Sequence, residues 1–348
     1  MRDAETATTE APPQAGRLSR RAALGFGAAA LAGFAAPAAL AQPVRFFRIA
    51  AGPIGGTMFP AAGWIAQAIS NPPGSRPCER YGSCGVPGLI AMAQSTEGSI
   101  ANIEALRAGT IDAALAYAAT AHDARVGAGA FKTPFSGLCA VASLAPELVH
   151  VLVRRGGPIR TIGDLKGRRV AVGVEADGPA GVAEAVLKAH GIGPKRYRAI
   201  ALNPDAAAGA LASGEIDAMV FLARPPAAVA RQMIADHGGV LLPLDPERMR
   251  AAIHTDPYLF VAAIPTDAYG AAAPAPTLAT LPVLLVRADL DSALVAAMSR
   301  ALWLAVKDAE GDHPLDRQSF AAAQIGRRGV PLHPAAQTFR DELLKTGG

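Results

Sequence analysis

The chain has 348 residues, a formal net charge of +4 and a hydrophobic fraction of 51%, much of it alanine. Its basic residues are scattered and do not alternate with aromatic residues, so the sequence does not predict a nucleic-acid-binding protein. After the N-terminal region, no segment has the roughly 20 consecutive apolar residues that a membrane-spanning helix requires.

The N-terminal region has the pattern of an export signal. Arg20 and Arg21 precede an apolar stretch, and Ala39-Leu-Ala41 matches an A-x-A cleavage site. We therefore predict a signal over residues 1–41, cleaved after Ala41, and a periplasmic mature protein. The long polar segment before the twin arginines favours the twin-arginine route, although the general secretory route stays open.

The first strand of the mature chain leads into a glycine-rich turn. Phe46 to Ala51 is predicted as a strand and Ala61 to Ile69 as a helix, with Gly52 to Pro60 between them. The free N–H groups at such a helix start suit an anion, but a tight turn that needs glycine for packing has the same pattern. The turn matches neither a Walker A loop nor a dinucleotide-binding loop.

The three cysteines fall into two groups. Cys78 and Cys84 lie in a loop-like segment of an exported chain, which favours a disulfide between them. Metal binding is the alternative, but two thiols without a nearby histidine make half a zinc site at most. Cys139 lies in an apolar run and is predicted as a buried free thiol.

One sequence motif occurs twice. Leu106 to Ala113 and Leu211 to Ala218 both read Leu-x-x-Gly-x-Ile-Asp-Ala. Each predicts a helix that ends on a glycine and is followed by a buried strand. The repetition predicts two similar α/β lobes with a ligand cleft between them, although this order of elements is common in α/β proteins.

Polar groups follow several predicted strands, where open α/β sheets place ligand contacts. Ser99 is a candidate N-cap of the helix before the first motif. Tyr117 ends the strand after that motif, and a ligand contact and a core position fit it equally. Arg224 follows the strand after the second motif. Its guanidinium group can bind a carboxylate through two parallel hydrogen bonds, but a solvated surface arginine fits this position as well.

Several segments, in this order, resemble the TAXI family, the extracytoplasmic solute receptors of TRAP transporters. The resemblance spans nearly all of the mature chain and rests on five stretches: Gly55 to Pro60, Gln94 to Asn102, Ala105 to Ala113, Ile162 to Gly173 and Leu281 to Asp289.

The resemblance implies an α/β fold of the type II periplasmic-binding-protein class, in which each of two lobes is a central sheet flanked by helices. We expect lobe 1 to comprise residues 42–150 and 250–348, and lobe 2 residues 151–249. The implied protein is a monomer without cofactor, metal or catalytic residues. Its implied partners are a small organic anion or amino acid and the membrane permease subunits of a TRAP transporter.

Two other classes remain as alternatives. The first is the receptor of an ATP-driven importer, or a ligand sensor, with the same fold. The second is a periplasmic enzyme, which the sequence disfavours because its histidines form no H-E-x-x-H motif and no G-x-S-x-G motif accompanies them.

The resemblance also implies a ligand-binding set, which comes from five loops or strand ends: Gly55, Gly56, Thr57, Met58 and Phe59; Ser95, Thr96, Gly98 and Ser99; Tyr117; Asp177, Gly178 and Pro179; Arg224 and Pro225. The chain departs from the usual family pattern where Met58 and Phe59 replace two tyrosines and where Asp177 and Arg224 add charges. We expect Asp177 to meet an amine and Arg224 a carboxylate, or the two to pair and close the lobes.

Overall fold

The computed structural model describes residues 44–75, 84–174, 178–308, 313–315, 319–320 and 330–346. The part from Pro43 to Gly348 forms one compact unit. The predicted signal over residues 1–41, Cys78 and Asp177 lie outside the described residues. The disulfide between Cys78 and Cys84 therefore stays a prediction.

Strands and helices alternate along the described chain. The strands are β1 (Arg45–Gly52), β2 (Ser70–Asn71), β3 (Val86–Pro87), β4 (Leu89–Ser95), β5 (Ala113–Tyr117), β6 (Leu138–Ser143), β7 (Glu147–Arg154), β8 (Arg169–Ala171), β9 (Arg198–Ile200), β10 (Ala218–Ala223), β11 (Gly239–Leu241), β12 (Phe260–Ile264), β13 (Ala275–Thr280) and β14 (Pro282–Arg287). The helices are α1 (Met58–Ile69), α2 (Ser99–Arg107), α3 (Ala118–Val126), α4 (Pro179–Ala189), α5 (Pro204–Ser213), α6 (Ala228–His237), α7 (Pro246–Thr255), α8 (Thr266–Tyr269), α9 (Ser292–Asp308) and α10 (Pro334–Thr346).

The five strands of the first large sheet have the same order and relative directions as five of the seven strands of the second, in which β11 also pairs with β7. The first has the strand order β4-β1-β5-β14-β6, and the second, read from its other end, has the order β9-β8-β10-β7-β13-β12. In each sheet the first three strands are parallel, and the next two pair antiparallel to their neighbours. Two sheets flanked by helices confirm the predicted α/β class.

Two adjacent crossings connect the lobes. The chain passes from β6 to β7 through Leu144 to Pro146, and it returns from β13 to β14 at Leu281. The crossings lie side by side, because Thr280 pairs with Glu147 and the Leu144 N–H donates to the Pro282 carbonyl at 2.8 Å. They form the hinge of the molecule.

The lobe boundaries at 150 and 250 stay a prediction. Strands β12 and β13, which that prediction assigns to lobe 1, pair with each other, and β13 pairs with β7 in the second sheet. We therefore propose that the second lobe extends to the crossing at Leu281.

The aspartate of the repeated motif makes the same hydrogen bond to a backbone N–H in both lobes. Asp112 Oδ2 accepts a hydrogen bond from the backbone N–H of Arg48 at 2.8 Å, and Asp217 Oδ2 accepts one from the backbone N–H of Arg169 at 2.9 Å. Each arginine belongs to the strand parallel to the one that its aspartate precedes. Each carboxylate thus provides an acceptor for a backbone N–H group of the neighbouring parallel strand.

An arginine supports each copy of the motif from the antiparallel neighbour strand. Arg154 Nη1 donates to the carbonyl oxygens of Leu211 and Ile216 at 2.8 and 3.0 Å. Arg287 Nη1 lies 3.5 Å from the carbonyl oxygens of the matching residues, Leu106 and Ile111. The motif therefore holds a helix end against a sheet in both lobes.

The hydrophobic core includes α9, in which Met298 and Leu302 are fully inaccessible to solvent. Cys139 is a buried free thiol, as predicted, and burial raises the pKa of its thiol. Among the described helices, none is long and apolar enough to cross a membrane.

Candidate functional site

A cavity of about 550 Å³ lies between the lobes above the hinge. The first lobe contributes the turn after β1 and the start of α1, and the hinge contributes Leu144, Ala145 and Glu147. The second lobe contributes the start of α5, the end of β10 and the turn that follows it. A second cavity, of about 30 Å³, shares the turn after β1 and reaches Tyr117 and Pro179.

The glycine-rich turn brings three predicted site residues to both cavities. Gly55, Gly56 and Thr57 line each of them. A β carbon on Gly55 would lie 3.0 Å from Nδ2 of Asn203, which belongs to the second lobe. A glycine therefore lets the two lobes approach each other here.

The next two residues of the turn serve the core instead. Met58 is buried within the main hydrophobic cluster, and Phe59 packs against that cluster. Among the described residues, neither Met58 nor Phe59 lines either cavity. Met58 and Phe59 therefore pack the start of α1 against the core.

The hydroxyls of the predicted Ser95–Ser99 loop bind neighbouring protein groups. Ser95 Oγ donates to the Gly52 carbonyl at 3.2 Å. Thr96 Oγ1 accepts from the Gly52 N–H at 2.9 Å and donates to Oδ1 of Asn102. These bonds attach the loop to the end of β1. The loop thereby fixes the strand end that carries the glycine-rich turn.

The start of α2 is held in a similar way. Gly98 precedes the helix with a φ of 129°, a value that favours glycine. Ser99 is fully buried, and its hydroxyl accepts a hydrogen bond from the backbone N–H of Tyr117 at 3.4 Å. These contacts position the end of β5, where Tyr117 lies.

Tyr117 lies in the core at the wall of the smaller cavity. Its side chain is buried, and it also lines the smaller cavity. Its hydroxyl donates a hydrogen bond to Glu147 Oε2 at 2.8 Å. Tyr117 thus connects the first sheet to the first residue of the second lobe's central strand.

Glu147 is the main site residue that the sequence analysis missed. It lies at the hinge, is 7% exposed and lines the large cavity. Burial raises the pKa of its carboxyl, while hydrogen bonds from the Thr57 and Tyr117 hydroxyls act in the opposite direction. The sequence does hold a signal, because Glu147 is the single acidic residue in the apolar run from Leu138 to Val153.

On the opposite wall, Arg224 contacts the C-terminal part of the chain. Its Nη1 donates a hydrogen bond to the His313 carbonyl, and the His313 ring stacks on Trp64 with centroids 5.8 Å apart. The Pro314 carbonyl accepts from the hinge residue Ala145 at 2.7 Å. Arg224 therefore takes part in a connection across the cavity.

The remaining predicted residues lie near the same walls. Gly178 and Pro179 begin α4, and Pro179 lines the smaller cavity. Pro225 precedes a cis peptide bond to Pro226, which lines the large cavity. Ligand contact by all of the predicted residues stays a prediction.

A buried hydrogen-bond network supports the wall of the second lobe. His150 Nδ1 lies 2.9 Å from the Leu148 carbonyl, and His150 Nε2 lies 2.9 Å from the Tyr269 hydroxyl. That hydroxyl accepts from the backbone N–H of Ala227 at 2.8 Å, and the His150 ring stacks on Phe221. Both Ala227 and Phe221 line the cavity.

The state of His150 makes stability depend on pH. Burial lowers the pKa of its imidazole to about 4. Between that value and the ordinary value near 6.5, only the unfolded chain binds the proton, so stability falls as the pH falls through this window. We expect His150→Gln to reduce this slope by up to about 1.4 kcal/mol per pH unit in urea unfolding followed by circular dichroism.

The matched control is His237→Gln, at an exposed position near the end of α6. This variant should keep the slope of the parent. Equal slopes in His150→Gln and the parent protein would contradict the assignment of a neutral, buried imidazole.

Solved structures resemble the chain in fold. A structure described as a periplasmic transporter has a TM-score of 0.50 at 15% identity and covers 88% of this chain and 94% of its own. MatC from Rhodopseudomonas palustris with bound malate has a TM-score of 0.50 at 11% identity, and the match covers 87% of this chain and 98% of MatC. The alkanesulfonate-binding protein SsuA from Xanthomonas axonopodis pv. citri, bound to MOPS, has a TM-score of 0.45 at 17% identity, and the match covers 86% of this chain and 85% of SsuA. The first of these likenesses, with the paired sheets, confirms the predicted type II periplasmic-binding-protein fold.

The sequence itself matches one family over most of its length. Residues 49–343 match the NMT1-like family, a range that includes both sheets apart from the first four residues of β1, both crossings and every described residue that lines the large cavity. The narrower resemblance to the TAXI family stays a prediction. The chain belongs to the NMT1-like family.

Proposed function

We propose that the chain is an exported solute-binding receptor of a TAXI-type TRAP transporter. It captures a small organic anion or amino acid between its lobes and delivers it to the membrane permease. The observation that carries this proposal is the cavity of about 550 Å³ at the hinge, with walls from both lobes. This volume is in the range of small-molecule sites.

The hinge and the contacts across the cleft support a closing mechanism. Gly55 lies next to Asn203, and Arg224 donates to the His313 carbonyl, so residues that line the cavity meet at two places. A solute that contacts both lobes stabilises the closed form relative to the open form. Binding and release then need no covalent step.

The second candidate function is a receptor for an ATP-driven importer or a periplasmic sensor, which can use the same cleft. The two differ in the membrane partner. Co-purification of the tagged protein with a multi-span TRAP permease would support the proposal, and co-purification with an ATP-binding subunit would favour the alternative.

Native mass spectrometry of the protein purified from the periplasm tests solute binding directly. We expect a small molecule that is retained under native conditions and lost on denaturation. A thermal-shift screen of carboxylates and amino acids follows, because a ligand that binds only the folded state raises the melting temperature. Conversion of a bound compound into a product would contradict the receptor function.

Arg224 provides a specific test of the cleft. We expect Arg224→Ala to weaken binding of the compound selected by the screen about fivefold in calorimetry, because either a ligand contact or the bond to the His313 carbonyl is lost. Arg250→Ala, at an exposed position on α7, is the control and should bind as the parent does. An unchanged affinity in Arg224→Ala would contradict both roles.

A further inference from the structure

The charges that line the large cavity are mainly negative. Glu147 lies at the hinge and Asp205 lies exposed at the start of α5. Among the described wall residues, Arg224 is the one guanidinium, and it donates to the His313 carbonyl. A solute that enters the cavity therefore meets two carboxylates.

Glu147 has hydroxyl partners and no cation among the described residues. Tyr117 donates to its Oε2 at 2.8 Å, and the Thr57 hydroxyl also hydrogen-bonds to the carboxyl group. None of the ion pairs formed by the described residues involves Glu147. A buried carboxylate without a counter-charge is costly, so the site gains from a cation that arrives with the solute.

We propose that the solute carries a protonated amine and that Glu147 binds it. This inference rests on the proposed receptor function. It narrows the ligand class to compounds that carry an amine, such as amino acids, and excludes carboxylates that lack one. Thr57 and Tyr117 hold the carboxyl group in place by their hydrogen bonds. The amine approaches from the cavity side.

Burial gives the proposal a second readout. The raised pKa of Glu147 means that its carboxyl holds a proton up to a higher pH than an exposed carboxyl does, and an incoming ammonium group favours the carboxylate. Amine binding should therefore weaken as the pH falls through the titration of Glu147. The other titratable groups facing this region are Tyr117, Asp205 and His313.

The test uses pairs of compounds that differ in the amine alone. The probes are L-glutamate with 2-oxoglutarate, L-leucine with 4-methyl-2-oxopentanoate, and 4-aminobutyrate with butyrate. Melting temperatures and calorimetric affinities are measured on the mature protein at pH 7. We expect the amine member of at least one pair to bind ten or more times more tightly than its partner.

Glu147→Gln should remove this preference and weaken amine binding at least tenfold. Glu184→Gln, at an exposed position on α4, should keep it. If Glu147→Gln does not fold, calorimetry of the parent protein over a series of falling pH values replaces it, and we expect the affinity for the amine compound to fall more than the affinity for its partner.

The outcomes separate this inference from the receptor function. Binding of the oxo acids or butyrate as tightly as the amines, amine binding unchanged in Glu147→Gln, or an amine preference that does not fall with pH would overturn the inference and leave the receptor function standing. If no compound raises the melting temperature and none is retained in native mass spectrometry, both are contradicted.

Discussion

Replacement of Asp217 with alanine is expected to lower the free energy of unfolding by about 3 kcal/mol. Asp217 Oδ2 accepts from the backbone N–H and from Nε of Arg169 at 2.9 and 3.0 Å, and Oδ1 accepts from Nη2 at 2.9 Å. The substitution removes three charge-assisted bonds and leaves a backbone donor beside the sheet without its acceptor. Urea unfolding followed by circular dichroism measures the loss.

The other copy of the motif supplies the matched comparison. Asp112 makes the same backbone bond, but its side-chain contact is with a single nitrogen of Arg48, at 3.3 Å, and the Arg48 side chain is 44% exposed. We expect Asp112→Ala to cost about 1 kcal/mol. Equal losses in the two variants would show that the side-chain bonds to Arg169 add nothing.

Acid should remove the same stabilisation. Hydrogen bonds from Arg169 lower the pKa of Asp217 to about 2. A carboxyl whose pKa is lowered by folding stabilises the fold above its ordinary pKa near 4, and this contribution is lost as the pH falls towards 2. The difference in stability between the parent and Asp217→Ala should therefore shrink over this window.

The repeated motif shows which parts of the fold a local pattern predicts. Gly109 and Gly214 follow their helices with φ values of 71° and 85°, as the helix endings predict. The supporting arginines, Arg154 and Arg287, were not predicted. They reach the motif through antiparallel pairing, and for Arg287 the partner strand is about 170 residues distant in sequence.

Sheet membership was harder to predict than the presence of strands. Strand β13 pairs with both β7 and β12, and this pairing places it in the second sheet. An alternating or apolar pattern predicts a strand but not its neighbour, because the neighbour depends on contacts between segments far apart in sequence. The lobe boundaries at 150 and 250, which depend on sheet membership, therefore stay a prediction.

The candidate site was predicted best where the signal was local. Gly55 to Thr57 line the cavity, as a glycine-rich turn at a strand end suggests. The hydroxyls of Ser95, Thr96 and Ser99 form hydrogen bonds with backbone groups of the protein, and their contact with a ligand stays a prediction. Glu147 was missed because no local motif marks it; its role depends on the Thr57 and Tyr117 hydroxyls, which come from segments distant in sequence.

Replacement of Gly55 with alanine is expected to weaken solute binding about thirtyfold. The added β carbon would lie 3.0 Å from Asn203 Nδ2 and 3.3 Å from its Cγ. Asn203 cannot easily move, because its Oδ1 accepts the N-cap hydrogen bond from Ala206 at 2.8 Å. Overpacking of this kind costs about 2 kcal/mol, and the cost arises only when the lobes approach, so it appears as lost affinity.

Two measurements and two control variants isolate this effect. Calorimetry with the compound selected by the thermal-shift screen gives the affinity, and small-angle X-ray scattering with that compound shows whether the lobes still close. Gly63→Ala, where a β carbon meets no atom within 4 Å, should bind as the parent does. Removal of the Asn203 side chain in Gly55→Ala/Asn203→Ala should restore much of the affinity, at a cost of about 1 kcal/mol in stability from the lost cap. If the double variant binds as weakly as Gly55→Ala, the two residues do not limit closure together, and the turn after β1 affects binding by contact with the solute alone.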